Sequence, residues 1–323
     1  MFFKPRLNMN IETKHYKRLI CLGLFVINLS SCDKKHHHTP ADKKYTFSLH
    51  LQAGQKFYIR CKNQTQLEIT SGDKNVKEDN SVFTGLRYDV VKDSGAFFII
   101  KVTYDSIHTV LNKNGTETEI DAANGLNSLN PVERMLALIK QKPIFIYINP
   151  RGVVTKIAGL NEMLDAVVSA SGMTDKNAVQ QLQAQLRGML DENFLRKNIA
   201  TGANLAPDSA IYAGDSWTGA ASQANALGLK LVSTYTLSDI NGQTAGINAE
   251  SSFKTGDTTL TILGNPLPVN LEATGKSAFK IDLATGMLRE AKESTTVKGM
   301  ITVGGKELPL KSNTQKEITV RKL

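Results

Sequence analysis

The sequence predicts an α+β protein made mostly of antiparallel β-sheet. The expected form is a curved sheet or half-barrel of about a dozen strands with a helical segment inserted mid-chain. Three observations lead there. Apolar and polar residues alternate from Tyr45 to Leu111 and again from Leu227 to the end, the period of half-buried strands. Short turns rich in glycine join successive runs, which is how antiparallel neighbours connect. Between these two blocks, over about residues 130–200, apolar residues recur at helical spacing instead.

In chain order, Tyr45, Phe47, Leu49 and Leu51 alternate with Thr46, Ser48, His50 and Gln52, predicting a half-buried strand. Ala53-Gly54-Gln55 turns the chain, and Phe57, Ile59 and Cys61 resume the alternation. Further strands are expected over Gln66–Thr70, Ser81–Val91 and Ala96–Leu111, the last two joined by Asp93-Ser94-Gly95. Asn130-Pro131-Val132-Glu133 then reads as a helix start, with a capping asparagine, proline at the first helical position and an acid three residues after the cap. Val132, Met135, Leu136 and Ile139 extend that helix until Lys142-Pro143 stops it.

Ile144–Asn149 and Val153–Ile157 flank Pro150-Arg151-Gly152 as a hairpin. Leu160, Met163, Leu164, Val167 and Val168 form one face of a short helix. Thr174 caps a longer one bearing Val179, Leu182, Leu186, Met189, Leu190 and Phe194, in which Gly188 costs about 1 kcal/mol relative to alanine. After the loop from Gly202 to Gly214, Leu227, Leu229 and Leu231 alternate, and Asn241-Gly242 marks a tight hairpin before Ala245, Ile247 and Ala249. Ala284-Thr285-Gly286 joins Ala278–Leu283 to Met287–Val297, Gly304-Gly305 joins Met300–Val303 to Leu308–Leu310, and Ile318–Val320 ends the chain. Two β blocks around a helical middle suggest a distant duplication, although no residue-level repeat accompanies them.

Ahead of this body stand Lys14, Lys17 and Arg18, an apolar run from Leu19 to Leu29, and Ser30-Ser31-Cys32. A basic start, a short apolar stretch and small residues make a secretory signal. The run is too short for a membrane span, which needs about 20 residues. Leu29-Ser30-Ser31-Cys32 resembles the lipobox of bacterial lipoproteins at all four positions. The resemblance implies cleavage after Ser31, diacylglyceryl transfer to the Cys32 sulfur and acylation of the new amino terminus, attaching the protein to a membrane by its N-terminal lipid. Residues 1–31 are thus expected to be the signal, starting at Met1 or Met9. Residues 32–44 would be a flexible tether and 45–323 a single β-rich globular domain. Asp33 to Lys44 holds one apolar residue, Ala41, too little to offset the entropy of ordering; fully extended it reaches roughly 40 Å.

The whole chain has 39 basic and 30 acidic side chains. Removing residues 1–31 takes away five basic groups and one acidic group, leaving 34 and 29, a net charge of +5. Without a basic face interleaved with aromatics, nucleic acid is not an expected partner. Once Cys21 leaves with the signal and Cys32 carries lipid, Cys61 stands alone, so no intramolecular disulfide is expected. Its strand position makes it a small inward-facing apolar residue. His36 to His38 could hold a metal loosely, but they read better as part of a solvated spacer, and neither a metal nor a cofactor is expected.

Gly214-Asp215-Ser216-Trp217 superficially resembles a serine-hydrolase block. It lacks the last glycine and the strand-turn-helix setting of a nucleophile elbow, and no histidine follows His108, so Ser216 would have to borrow His50 or His108. The better reading is a turn at Ala213-Gly214-Asp215 followed by Trp217 either plugging the core or lining a ligand cavity. Asp105 could join Glu133 or Asp165 as a glycosidase pair, although spacing does not select them, and Tyr104-Asp105-Ser106 reads more simply as a strand end. The chain is therefore expected not to be an enzyme.

The strand pair from Leu49 to Tyr58, the Asn149-Pro150-Arg151-Gly152-Val153-Val154 hairpin, Gly214-Asp215-Ser216-Trp217 and Ile281-Asp282-Leu283-Ala284-Thr285-Gly286 resemble an uncharacterised family of Gram-negative envelope lipoproteins, over most of residues 45–323. The resemblance implies an envelope location and brings no activity with it. A curved antiparallel sheet with helices on one side is also similar in architecture to the Lol lipoprotein-localisation proteins and mycobacterial lipid carriers, which implies an apolar cavity between sheet and helices. The expected function is that of a membrane-anchored, non-enzymatic lipoprotein binding an apolar or lipid-like small molecule or an envelope protein. The alternatives are an interaction protein without a cavity, or a hydrolase using Ser216. The expected location is the outer membrane facing the periplasm, with the inner membrane and the cell surface as alternatives.

Overall fold

In the computed structural model of the chain, residues 43–171, 201–220 and 232–323 are described, except 73, 263 and 264, together with 175, 179, 180, 195, 196 and 199. The expected signal, nearly all of the tether, most of the longer helix after Thr174 and the Leu227-to-Leu231 run lie outside the described residues.

The described strands are β1 (Lys56–Ser71), β2 (Lys74–Asp93), β3 (Phe98–Lys113), β4 (Thr116–Asp121), β5 (Ile144–Ile148) and β6 (Val154–Ala158), then β7 (Ser216–Ala220), β8 (Val232–Asn241), β9 (Thr244–Lys254), β10 (Thr258–Ile262), β11 (Asn265–Asp282), β12 (Leu288–Val303) and β13 (Lys306–Lys322). Two α-helices, α1 (Pro131–Gln141) and α2 (Leu160–Ala170), flank the β5–β6 hairpin. All thirteen strands form one open antiparallel sheet in the order β6-β5-β3-β2-β1-β13-β12-β11-β9-β8-β7, with β4 extending the edge of β3 and β10 pairing β11. The mostly antiparallel prediction holds, and among the described residues the helical share is smaller than expected. Strand numbers rise outward in one flank and fall outward in the other. A meander whose two ends meet produces this order without any tandem repeat.

The two ends meet at β1 and β13, which pair from Phe57↔Lys322 to Ile69↔Leu310. Here several predicted strands merge. Phe57–Cys61 and Gln66–Thr70 belong to the single strand β1, and β12 and β13 are likewise long and unbroken. Polar residues such as Asn63 and Thr65 break the apolar alternation but not the backbone ladder, which is indifferent to side-chain polarity. Two further strands, β4 after the Asn114-Gly115 turn and β10, add to those expected from the alternation.

The Tyr45–Gln52 prediction needs correction. Phe47, Leu49 and Leu51 are buried and alternate with more exposed neighbours, as the period required. The segment nevertheless joins no ladder beyond an isolated bridge from Tyr45 to Ile211. It is a strap across the core. The Leu49 N–H donates to the Pro150 carbonyl at 2.6 Å and the His50 N–H to the Thr285 carbonyl at 3.0 Å. Period-two burial signals an extended chain with one covered side; a sheet is one way to achieve that and a strap is another.

The strap and both helices lie on the same face of the sheet, called the inner face below. Asn130 caps α1 as predicted, its side-chain oxygen accepting from the Val132 N–H at 2.9 Å. All five residues of the predicted α2 stripe are buried. Helices this short are marginal alone, and burying a large aliphatic side chain contributes about 1.5–3 kcal/mol, so the stripe rather than intrinsic propensity holds α2. The main core joins these helix faces to Ile100, Ile146, Ile247 and Ile281 of the sheet. A smaller second core, around Leu271, Val297 and Leu310, occupies the far end of the long strands. The outermost strands β6 and β7 are five residues each, the short edges that discourage further pairing, and the Arg196 guanidinium covers the Val154 carbonyl of β6.

Gly286 sits where the strap crosses the β11–β12 hairpin. Its φ is +72°, and a Cβ there would stand 2.2 Å from the Ser48 carbonyl oxygen. Gly305 has a similar φ of +77° but open space around it. In urea unfolding, Gly286→Ala should cost about 2–5 kcal/mol against about 1–2 for Gly305→Ala. Equal losses would mean that the strap is not seated on this hairpin.

Candidate functional site

Each residue singled out from the sequence can now be placed. Cys32, Ser31 and His36 to His38 lie outside the described residues. Gly214-Asp215-Ser216-Trp217 forms a turn that starts β7. The Asp215 carboxylate accepts from the Tyr212 N–H at 2.8 Å, and the Gly214 N–H donates to the Leu237 carbonyl at 2.7 Å. The Ser216 hydroxyl lies 2.8 Å from that of Thr236. His108 stands on β3, eight strands away from β7 in the sheet order, and His50 stands on the strap. The block organises a turn. Trp217 points inward, donates its indole N–H to the Leu205 carbonyl at 2.9 Å and stacks on Tyr235 with centroids 5.8 Å apart.

The three candidate carboxylates do not converge. Asp105 is exposed on the outer face, Asp165 is exposed on α2, and Glu133 is buried beside the start of α1, so the sheet separates the first from the other two. Glu133 accepts from the Ser128 hydroxyl, the Asp121 N–H at 3.2 Å and the Asn124 amide at 2.7 Å. These donors, Ser128 foremost, hold its carboxyl below the usual carboxylate range. It ties the loop before α1 together. Cys61 faces inward as expected, and burial pushes its thiol pKa up, which keeps it protonated and unreactive at neutral pH.

A polar cleft of about 450 Å³ opens on the outer face over β13, β1 and β2. Tyr58 on β1 pairs across the ladder with Arg87 on β2 and Arg321 on β13, while Arg60 lies two residues along on the same face. All four line the cleft together with Asp105. A bulge supplies Asp105: Gly85 pairs with Ser106 and Leu86 with Tyr104, leaving Asp105 as the extra residue of β3. This re-aims the side chain, and the Tyr58 hydroxyl donates to it at 2.8 Å. The neighbouring Tyr104 is half-buried against the core, and desolvation pushes its phenol up to about 12. Gly85 leaves room for the Tyr58 hydroxyl, which would lie 2.5 Å from any Cβ placed there. The Arg321 guanidinium lies over the Tyr58 ring, 5.2 Å from its centroid. Tyr58 and Arg60 alternate with the buried Phe57 and Ile59 and so face outward. Their meeting with Arg321 depends on the β1–β13 register, which no local signal encodes.

The inner face is not continuously apolar. Between the two cores runs a belt of Thr65, Thr314, Lys316, Glu293, Ser277, Ser251 and Ser233 across β1, β13, β12, β11, β9 and β8. Glu293 and Lys316 form an ion pair at 3.6 Å with their side chains only 4% and 14% exposed. The Ser233 and Ser251 hydroxyls lie 2.6 Å apart, and those of Thr65 and Thr314 3.2 Å apart.

The chain belongs to a family of unknown function, DUF6263, whose model matches residues 95–288. This agrees with the expected uncharacterised family; the description of that family carries no activity, membrane location or lipid attachment. No curated protein matches the sequence. Among solved structures, the chain is similar to one described as lipid–protein interactions in lipovitellin, at 7% identity and a TM-score of 0.45, covering 84% of this chain and 25% of that one. This chain thus spans about a quarter of the length of that relative. It also resembles an outer membrane channel from Pseudomonas putida F1, at 6% identity and a TM-score of 0.18, covering 84% of this chain and 97% of that one. Both are loose likenesses that say nothing of what this chain binds.

Two predictions follow from these placements. Trp217→Phe should cost about 1–3 kcal/mol by leaving the Leu205 carbonyl without its donor, while Ser216→Ala should stay within about 0.5 kcal/mol of wild type; chemical denaturation separates them. For Glu133, the lowered folded pKa means that its contribution is complete above the ordinary carboxylate value, about 4.3, and is lost as pH falls through the folded value. The melting-temperature gap between wild type and Glu133→Gln should therefore be constant above about pH 5 and close below it. A gap that persists unchanged at acid pH would contradict this.

Proposed function

We propose that the protein is a lipid-anchored, non-enzymatic lipoprotein of the cell envelope that works by binding an envelope partner, its interior occupied by its own side chains. Residues 1–31 serve as the signal, Cys32 carries the lipid, 32–44 form the tether and 45–323 the working domain. The outer membrane, facing the periplasm, is its place. The observation that favours a partner-binding protein over a carrier of apolar molecules is the belt through Glu293 and Lys316. An acyl chain lying along the inner face would have to cross a buried ion pair and a row of hydroxyls, losing their polar partners without replacing them. The core beside α1 and α2 is also closely filled, with Leu237, Ile247, Ile148 and Val167 fully buried. The turn-forming role of Gly214-Asp215-Ser216-Trp217 and the separation of the carboxylates support the non-enzymatic reading.

Anchoring requires the Cys32 sulfur, since acyl chains contribute about 0.8 kcal/mol per buried CH₂ and stable attachment needs more than one chain. The full chain expressed in a Gram-negative host should sediment with membranes, whereas Cys32→Ala should appear folded in the soluble fraction. Persistence of that variant on membranes in high salt would overturn the anchor. Solvent extraction of the purified Cys32→Ala protein, followed by mass spectrometry, should find no stoichiometric lipid. A reproducible co-purifying lipid would restore the carrier reading instead.

A further inference from the structure

We propose that the outer-face cleft between β13, β1 and β2 is a binding site for a phosphoryl group, held by Arg60, Arg87 and Arg321. This inference is independent of the anchor and of the filled interior.

Four of the described arginines are already engaged. Arg151 pairs with Asp208 and Arg289 with Asp282, while Arg134 donates to the Ser128 carbonyl and Arg196 to the Val154 carbonyl. Arg60, Arg87 and Arg321 are the described arginines that have neither a carboxylate within 4.0 Å nor a carbonyl acceptor, and all three line the same cleft. Some exposed lysines elsewhere on the sheet are neutralised by neighbours, as in Lys254–Glu272 at 2.8 Å and Lys280–Glu290 at 2.9 Å. The Asp105 carboxylate and the last residue, Leu323, line the same cleft; Asp105 accepts from the Tyr58 hydroxyl at 2.8 Å and makes no ion pair with the three arginines.

The positions are also fixed in advance. Tyr58 is clamped at its hydroxyl by Asp105 and overlain by Arg321, and its two ladder partners are the arginines on either side. A carboxylate offers two oxygens and fills one guanidinium fork. A phosphate monoester offers three free oxygens and can serve three forks at once. Lysines at these positions would give charge without the planar, two-donor geometry. The chemistry suits either free phosphate or a phosphate-bearing lipid headgroup.

Isothermal titration of the full chain carrying Cys32→Ser, in a neutral detergent, tests this with three probes: inorganic phosphate, glycerol 3-phosphate and acetate. Both phosphates should bind, and acetate should not. Loss of one arginine, in Arg87→Gln or Arg321→Gln, should weaken phosphate about tenfold, and the triple Arg→Gln variant should abolish binding while melting like wild type. Equal affinity for the two phosphates identifies a free-phosphate site, and tighter glycerol 3-phosphate binding identifies a headgroup site. Should the triple variant fail to fold, Arg87→Lys carries the test, with several-fold weaker binding expected. Acetate binding as well as phosphate, no binding of either phosphate, or an affinity unmoved by these substitutions would overturn the site.

Discussion

The β1–β13 pairing is the constraint on which the rest of the molecule depends. Thirteen register pairs join the first long strand of the chain to the last, and this ladder alone makes one sheet of two flanks. Its sequence separation is long, 249 residues between the paired hydroxyls of Thr65 and Thr314. Closing so long a loop costs chain entropy before the contact repays it, though the cost grows only logarithmically with length. Topologies built on such pairings fold slowly. The family match at 95–288 contains the helices and the outer strands of each flank but leaves β1, β2 and β13, and all of β12 beyond its first residue, outside it.

From this seam the two faces take different characters. The inner face is divided crosswise, with a large core under the strap and helices, a belt of hydroxyls and one ion pair, and a smaller core at the far end. Retaining a buried ion pair where aliphatic side chains could pack contributes little net stability, but it fixes which residues face each other. A slip of one residue between β12 and β13 would put Glu293 and Lys316 on opposite faces of the sheet and leave the buried one unpaired. The outer face has no such division. Its most distinctive feature is the group of guanidinium side chains that the seam itself assembles.

How much of this was legible in the sequence depends on how local the cause is. The Asn130 cap, the five-residue stripe of α2, and the hairpins at Asn241-Gly242 and Ala284-Thr285-Gly286 were all readable, because each is decided within a dozen residues. The strap was half readable. Its burial period is local, but its exclusion from the sheet depends on Pro150 and Thr285 supplying acceptors from distant hairpins. The long strands read as shorter pieces because Asn63, Thr65, Ser312 and Thr314 look loop-like, although the backbone ladder runs through all four and the Thr65 and Thr314 hydroxyls face each other. The arginine cleft was not readable at all. Parity could face Tyr58, Arg60 and Arg87 outward, but it could not bring Arg321 beside them or reveal the bulge that presents Asp105 to Tyr58.

The strap has a mechanical consequence. Its backbone is bonded to Ile211, to Pro150 of the β5–β6 hairpin and to Thr285 of the β11–β12 hairpin, so it is fastened to both flanks. Tension applied to the chain ahead of Tyr45 would first meet the Tyr45–Ile211 bridge. It would then be shared between the two sides of the seam rather than peeling one strand from an edge. Phe47, Leu49 and Leu51 would have to leave the core in turn before any ladder in the sheet felt the load. The segment thus acts as a strain relief, separating a pull on the leading end of the chain from the register that holds the sheet together.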